Sequence, residues 1–348
     1  MKNEKIKLTI KNFRGIKEGS LEFGKVNILI GGNNSGKTTI LESLFLLPNP
    51  FRLVPFFSRT EGQLNALRAL SFMHSTLGSE ANVFLFHYYK GKRATIKFQK
   101  NSKIEVSLKF LITDNDISII LEDKKEKYHL GYARKESHVQ DITELLPGYI
   151  RTVDFRSSIK EAVFFHPLLL DFICEYFKFQ WVNLRAIGLT AIVAQKVSEA
   201  VGANFNDLLL EPFIGGSQTI YFRDEKGRGV RFGDVGSGTQ VFVALALLYE
   251  HIKPKMLLID DVESHMNPSL LTYLASWLQT TIKTTDLFVT THSLEAAKIL
   301  AGVLEDYNPR IKLLELREGI LKSKDLTLEE LEDLERAGID VRQRGILI

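Results

Sequence analysis

Cysteine is nearly absent. Cys174 is the only one in 348 residues, which excludes an intramolecular disulfide and a cysteine-based zinc site. That composition fits a reducing cytosol, so a cytoplasmic protein is expected. A long apolar run is missing as well. The longest, residues 162–177, is broken by Pro167, Asp171 and Glu175 and is too short to span a bilayer, so no membrane partner is expected. The start, Met1-Lys2-Asn3-Glu4-Lys5, runs into alternating residues and not into the apolar block of a signal peptide. An excess of one charge is lacking too. Lys and Arg number 45 against 42 Asp and Glu, a net charge of +3, too little for the global field to draw in nucleic acid. Any DNA or RNA surface would be a local patch. No internal repeat, low-complexity tract or sustained heptad array is visible. The remainder, 45% hydrophobic and 25% charged, is an ordinary globular composition, long enough for one large or two modest domains.

What is present begins with Val26-Asn27-Ile28-Leu29-Ile30, a β-branched and apolar run leading into Gly31-Gly32-Asn33-Asn34-Ser35-Gly36-Lys37-Thr38-Thr39. An apolar helical pattern (Ile40, Leu41, Leu44, Phe45) follows. Strand, G-x-x-x-x-G-K-T loop and helix in that order make a phosphate-binding unit. The glycines let successive backbone N–H groups turn inward as an anion nest, and the helix adds the positive end of its dipole. Lys37 would reach the β- and γ-phosphates of a nucleotide, and the Thr38 hydroxyl would ligate magnesium.

Such a loop needs a magnesium-ordering acid on a neighbouring strand. Met256-Leu257-Leu258-Ile259-Asp260-Asp261-Val262-Glu263 supplies a buried strand with carboxylates emerging at its end. Asp260 is expected to act on magnesium through water, and Asp261 to polarise the attacking water. Leu287-Phe288-Val289-Thr290-Thr291-His292-Ser293 repeats the geometry and delivers His292 at a strand's C-terminal end, where ligands gather in parallel α/β sheets. Gly233-Asp234-Val235-Gly236-Ser237-Gly238-Thr239-Gln240 is a second small-residue loop opening a helix. One nucleotide uses both loops most readily if they meet across a two-fold axis.

The periodicities predict strands over Ile6–Ile10 and Ser20–Phe23, a helix over Gln63–Thr76, and antiparallel strands over Asn82–Tyr89, Ala94–Lys100, Ile104–Ile112, Ile117–Leu121 and Lys127–Tyr132. A further strand over Tyr149–Phe155, a mostly helical stretch over 159–210 and a hairpin over 219–232 come next. From 239 to 304 helix and strand alternate as in a parallel sheet with helices on its faces. A hairpin (Lys312–Lys322) and a helix with the capping box Thr327-x-x-Glu330 end the chain.

Asn12-Phe13-Arg14-Gly15, the G-G-N-N-S-G-K-T loop, G-S-G-T-Q, L-L-I-D-D-V-E and V-T-T-H-S stand in this order. Together they resemble the ABC-type P-loop ATPases of the SMC, RecF and OLD group, within the wider AAA-annotated ATPases. The resemblance implies an α/β fold with a mixed, largely parallel sheet flanked by helices. It also implies an antiparallel β subdomain and a helical lobe inserted between the Walker A motif and the signature. The expected division is 1–155 (Walker A half with the β subdomain), 156–215 (helical lobe), 216–305 (signature, Walker B and switch histidine) and 306–348 (hairpin and helix).

By the same resemblance, ATP with Mg²⁺ is the ligand, and Gly31, Asn33, Asn34, Ser35, Gly36, Lys37, Thr38 and Thr39 form the Walker A contacts. Asp260 is the Walker B aspartate and shares the metal with Thr38. Asp261 takes the catalytic acid's place and His292 the switch histidine's. Ser237 and Gly238 stand for the signature loop that acts across an ATP-sandwiched homodimer. Asn267 lies where the dimer-contacting loop is, and Arg14 near the nucleotide. The group usually carries Glu directly after the Walker B aspartate. Asp261 is one methylene shorter, so hydrolysis is expected to be slow or aided by Glu263. Gln99, Gln140 and Gln180 all stay open for the glutamine loop. Neither a long coiled coil nor a nuclease-type acidic cluster is seen.

Three functions are weighed. The first is an ATP-driven dimerisation switch in DNA repair, maintenance or phage defence. A basic stretch (Lys90, Lys92, Arg93, Lys97, Lys100, Lys103) beside Tyr88 and Tyr89 would be its DNA patch, although Glu105, Asp114, Asp116, Glu122 and Asp123 follow closely. The second is an ATP-sensing regulator that holds or releases a separate effector protein, docked on the C-terminal hairpin and helix. The third, a transporter's energising subunit, is disfavoured by the N-terminal F-R motif and the altered signature.

Overall fold

The computed structural model describes residues 6–47, 49–54, 64–74, 91–100, 103–112, 116–123, 127–134 and 162–339. Its central strand, β3 (Val26–Ile30), is buried at all five positions. A run with no in/out alternation must be covered on both faces, as strands of parallel sheets are. Parallel partners flank it, β15 (Asp286–Thr291) on one side and β16 (Arg310–Arg317) on the other. Asn27, the one polar residue of β3, is fully buried and fully used. Its Oδ1 accepts from the Gly24 N–H at 2.8 Å, and its Nδ2 donates to the carbonyls of Gly24 and Leu287.

Beyond β15 lie β14 (Met256–Ile259) and the edge strand β10 (Ala162–Phe165), both parallel. On the other side β16 turns into β17 (Ile320–Leu326), which meets β2 (Ile16–Phe23). From β2 an antiparallel series continues through β1 (Ile6–Phe13), β6 (Arg93–Lys100), β7 (Lys103–Ile112), β8 (Asp116–Asp123) and β9 (Lys127–Arg134). Among the described residues this makes one twelve-stranded sheet, parallel at one end and antiparallel at the other. β1 shows why the antiparallel end has a solvent face: Ile6, Leu8 and Ile10 are buried while Lys7 and Lys11 are exposed. A pair of two-residue strands, β4 (Leu53–Val54) and β5 (Leu64–Asn65), precedes α2 (Ala66–Met73). A separate three-stranded sheet holds β11 (Phe205–Pro212), β12 (Gln218–Asp224) and β13 (Gly229–Arg231).

Helix α1 (Lys37–Leu46) buries nine of its ten residues, Glu42 among them, because it lies between the sheet and α2. The lobe helices are α3 (Leu170–Ala186) and α4 (Leu189–Val201). The alternating half supplies α5 (Ser237–Ile252), α6 (Pro268–Thr281) and α7 (Leu294–Val303). The last helix, α8 (Leu328–Arg336), opens on the expected capping box, with Thr327 and Glu330 each bonding the other's backbone N–H. No described helix is long and apolar enough to cross a membrane.

Two details are added. The stretch 159–210 is mostly helical as expected, with β10 ahead of its helices and β11 after them. A four-residue apolar run such as Ala162-Val163-Phe164-Phe165 has no period long enough to separate strand from helix. The C-terminal hairpin is part of the main sheet. β16 sits inside the sheet against β3, with Ile311, Leu313 and Leu314 buried. The expected strands over 82–89 and 149–155 lie outside the described residues.

A chain ended before Arg310 would leave β3 with an open edge and uncover its core. It should lose cooperative unfolding in circular dichroism melts; a truncated chain melting like the full one would contradict this placement of β16.

Candidate functional site

Four parallel strands end side by side; three deliver a polar side chain at their carboxyl ends and the fourth opens the glycine-rich loop. His166 follows β10, Asp260 follows β14, His292 follows β15, and Gly31 follows β3. This is where ligands collect in open α/β sheets. Gly31 must be glycine because a Cβ there would stand 2.6 Å from the Leu314 carbonyl and 2.7 Å from Ser35 Oγ. Gly36 caps α1 at φ +94°, a conformation that L side chains rarely adopt. Asn33 and Asn34 form the exposed tip of the loop, while Ser35, Lys37 and Thr39 are buried.

Lys37 is 5% exposed. Its Nζ donates to the carbonyls of Gly31 (2.8 Å) and Gly32 (2.9 Å) and to His292 Nδ1 (3.3 Å). Burial holds its ammonium down to about 8, against the opposing pull of Asp261, Asp260 and Glu263. Since lysine can only donate, His292 Nδ1 accepts and the ring proton sits on Nε2. That atom is 3.2 Å from Asp261 Oδ1. Lys37, His292 and Asp261 therefore form a continuous polar chain across the strand ends.

Asp260 is 1% exposed, and burial pushes its carboxyl up from the ordinary carboxylate range, while the Thr290 and Thr38 hydroxyls work the other way. Thr290 Oγ1 donates to Asp260 Oδ1 at 2.5 Å. Oδ2 is buried with no well-formed hydrogen-bond partner among the described residues. A hard, unpaired carboxylate oxygen beside the Thr38 hydroxyl suits a divalent cation of magnesium's kind, so these residues fit the metal expected here. Asp261 is held in left-handed backbone (φ +48°), which costs a non-glycine residue about 1–2 kcal/mol. Its N–H donates to Thr290 Oγ1. Glu263 turns back toward the next strand, and its Oε1 accepts the His292 backbone N–H at 2.6 Å, leaving Oε2 buried without a well-formed partner. Both faces of the histidine's position are thus set by the loop that follows β14.

Ser237 and Gly238 are not brought to the phosphate loop. Helix α5 packs against α3, α4 and α6, whereas α1 packs against β10, β14, β15 and α2. Ser237 is exposed at the start of α5. Gly238 is buried, and a Cβ on it would overlap the His265 carbonyl and come within 2.9 Å of Leu270. It joins α5 to the loop carrying Asp261 and Glu263. Upstream of this loop, Arg231 pairs with Asp234 at 2.5 Å and stacks over Phe213. Asn267 caps α6, accepting the Leu270 N–H at 2.8 Å.

Arg14 points at α1. It pairs with Glu42, and its Nη2 lies 3.3 Å from His74 Nδ1, while His74 Nε2 meets Glu42 Oε1 at 2.6 Å. The triangle closes only with a neutral His74 that accepts from arginine and donates to the carboxylate. Burial, then the Arg14 charge, holds this imidazole down to about 4. His166 was not singled out by sequence reasoning. The signal was there in Ala162-Val163-Phe164-Phe165-His166, an apolar run ending in a polar side chain as in the other two strands. Of the open glutamines, Gln99 is on β6 and Gln180 on α3, and Gln140 lies outside the described residues. Tyr88, Tyr89 and Lys90 of the basic stretch also lie outside them.

Two family models match the chain. One, an AAA ATPase domain, covers residues 5–168. The other, an AAA domain described by the AbiEii toxin and type IV toxin–antitoxin systems, covers residues 156–297. An uncharacterised protein of Methanocaldococcus jannaschii is 38% identical over 108 residues, 30% of this chain and 41% of its own length. The DNA replication and repair protein RecF of Clostridioides difficile is 28% identical over 178 residues, 47% of this chain and 46% of its own. The chain spans less than half the length of these curated relatives. Among solved structures, the Smc head domain with a coiled coil and joint from Pyrococcus yayanosii matches with a TM-score of 0.54. That match covers 96% of this chain and 100% of that one at 12% identity, a likeness of fold.

Two outcomes follow from these contacts. The unfolded chain protonates His74 near 6.5, the folded chain only near 4, so the unfolded state binds more protons between those values. Stability therefore falls as pH drops through that window, by up to about 1.4 kcal/mol per pH unit. Denaturant titrations of wild type and His74→Gln should show the slope flattened in the variant. Gly238→Ala should cost about 1–3 kcal/mol in the same assay, and an unchanged midpoint would contradict the close contact with His265.

Proposed function

Because this chain belongs to the P-loop ATPases of the SMC and RecF type, we propose that it is an ATP-driven dimerisation switch whose hydrolytic site is completed by a second copy. One observation carries the reading. Ser237 is exposed at the start of α5, a helix whose main neighbours are α3, α4 and α6, while α1 packs on β10, β14, β15 and α2, so Ser237 is open to cap the phosphates held by another protomer.

In this reading ATP places its phosphates over the nest formed by 31–39, and Lys37 exchanges the Gly31 and Gly32 carbonyls for β- and γ-phosphate oxygens. Thr38 and Asp260 would hold Mg²⁺, which when bound would supply charge neutralisation to the phosphates. Asp261 orients the attacking water and takes its proton, and the Nε2–H of His292 donates toward the γ-phosphate. Glu263 positions His292 by holding its backbone N–H. If ATP binds the closed pair better than the open one, closure is favoured by the same factor.

What the switch acts on is either DNA or a separate effector protein. The solvent face of the antiparallel end carries lysines, and two of them are matched by acids: Lys11 with Glu18 (3.4 Å) and Lys109 with Glu122 (2.6 Å). A balanced face supports a protein partner as well as it does DNA. Salt-sensitive DNA binding in the ATP state would select repair or maintenance, and a salt-resistant complex with one protein would select the effector reading.

Mixing two inactive variants tests the composite site. Lys37→Met and Ser237→Glu each spoil both sites of their own homodimers, and each should lower phosphate release at least about a hundredfold. In a mixed dimer one site keeps wild-type Lys37 facing wild-type Ser237. The mixture should therefore recover about a quarter of wild-type activity. No recovery on mixing would mean that Ser237 serves its own protomer's nucleotide or none.

A further inference from the structure

We propose that His166 is a positioning residue of the nucleotide site, a hydrogen-bond donor that holds Asp260 Oδ2 from the neighbouring strand end. The inference rests on the ATPase reading and adds a residue that neither the sequence motifs nor the comparisons assign.

Placement comes first. Strand β10 is in parallel register with β14, Phe165 opposite Ile259, so the next residues, His166 and Asp260, stand side by side. The Asp260 N–H donates to the Phe165 carbonyl at 2.9 Å, which fixes the two strand ends to each other. Orientation follows. The Leu168 N–H donates to His166 Nδ1 at 3.0 Å. An Nδ1 that accepts leaves the ring proton on Nε2, so the atom facing the site is a donor and has no lone pair for a metal. Pro167 and the short turn over Pro167–Leu169 hold this arrangement.

The target is the carboxylate oxygen that Thr290 leaves open, on the group that the Thr38 hydroxyl also acts on. Thr290 takes Asp260 Oδ1, and Oδ2 is buried without a well-formed partner. His166 Nε2 stands 3.9 Å from it, about 1 Å beyond hydrogen-bond length. The ring therefore reaches Oδ2 after a small shift or through one water. A carboxylate oxygen has two lone pairs, so a donor held on one side of Oδ2 would fix the oxygen that meets the cation on its other side, and such outer partners typically set metal affinity by about 10–100-fold.

The test compares wild type, His166→Ala and His166→Gln, the last restoring an N–H donor of similar reach. All three should melt alike without nucleotide. Binding of a fluorescent ATP analogue is titrated without metal and across a Mg²⁺ series, alongside kcat and KM. The expected result is unchanged metal-free binding in all three. In His166→Ala the gain in affinity conferred by Mg²⁺ should fall about tenfold, with kcat lowered and KM little changed, and His166→Gln should recover most of both. Wild-type Mg²⁺ dependence in His166→Ala would overturn the proposal, as would a glutamine variant no better than alanine. A wild-type chain that binds ATP but never hydrolyses it would instead overturn the ATPase reading, while the Mg²⁺ titration still decides the role of His166.

Discussion

A buried ammonium governs this structure. Lys37 lies at the start of α1 with almost no exposure, and an unbalanced charge in such a place would cost several kcal/mol. The fold meets that demand with two loop carbonyls and three carboxylates delivered from β14. Those carboxylates are themselves anchored in the next strand. Thr290 bonds Asp260 through its hydroxyl and receives the Asp261 N–H, and Glu263 accepts from the His292 backbone. The charges of the site are thus a lattice between β14 and β15 and the loop after β3. Moving any of them disturbs the balance around Lys37.

The same constraint explains why the chain's distant parts share one sheet. The loop holding Lys37 turns at Gly31, which is pressed against the Leu314 carbonyl of β16. Helix α1 is braced by Arg14, Glu42 and His74, which come from the turn after β1, from α1 and from the residue after α2. The C-terminal hairpin and the Arg14 turn thus both pack against the elements that carry the phosphate loop. The start of α5 is tied by Gly238 to the His265 carbonyl, in the loop that follows Asp261 and Glu263.

How much of this could be read from the sequence depends on how local the physics is. β3, the phosphate loop, β14, β15 and the capping box of α8 are set by neighbours in the chain, through buried runs, glycines and cap chemistry, and they stand where the residues predict. β10 was missed because four apolar residues carry no period, and with it His166. The place of β16 beside β3 was not legible, since strand order is decided by tertiary pairing. Nor was the triangle of Arg14, Glu42 and His74, whose members are drawn from 60 residues of chain. Asp261's left-handed backbone shows a locally unfavourable choice kept at the site, the kind that propensity reasoning does not see.

The central claim is that ATP closes two copies of this chain over shared nucleotides. The most direct measurement is molar mass in solution by light scattering of Asp261→Asn, whose slowed hydrolysis preserves the loaded state, with and without ATP and Mg²⁺. The account predicts one protomer's mass without ATP and twice that mass with it. ATP that binds while leaving the mass unchanged would contradict the account, and the site would then work within a single chain.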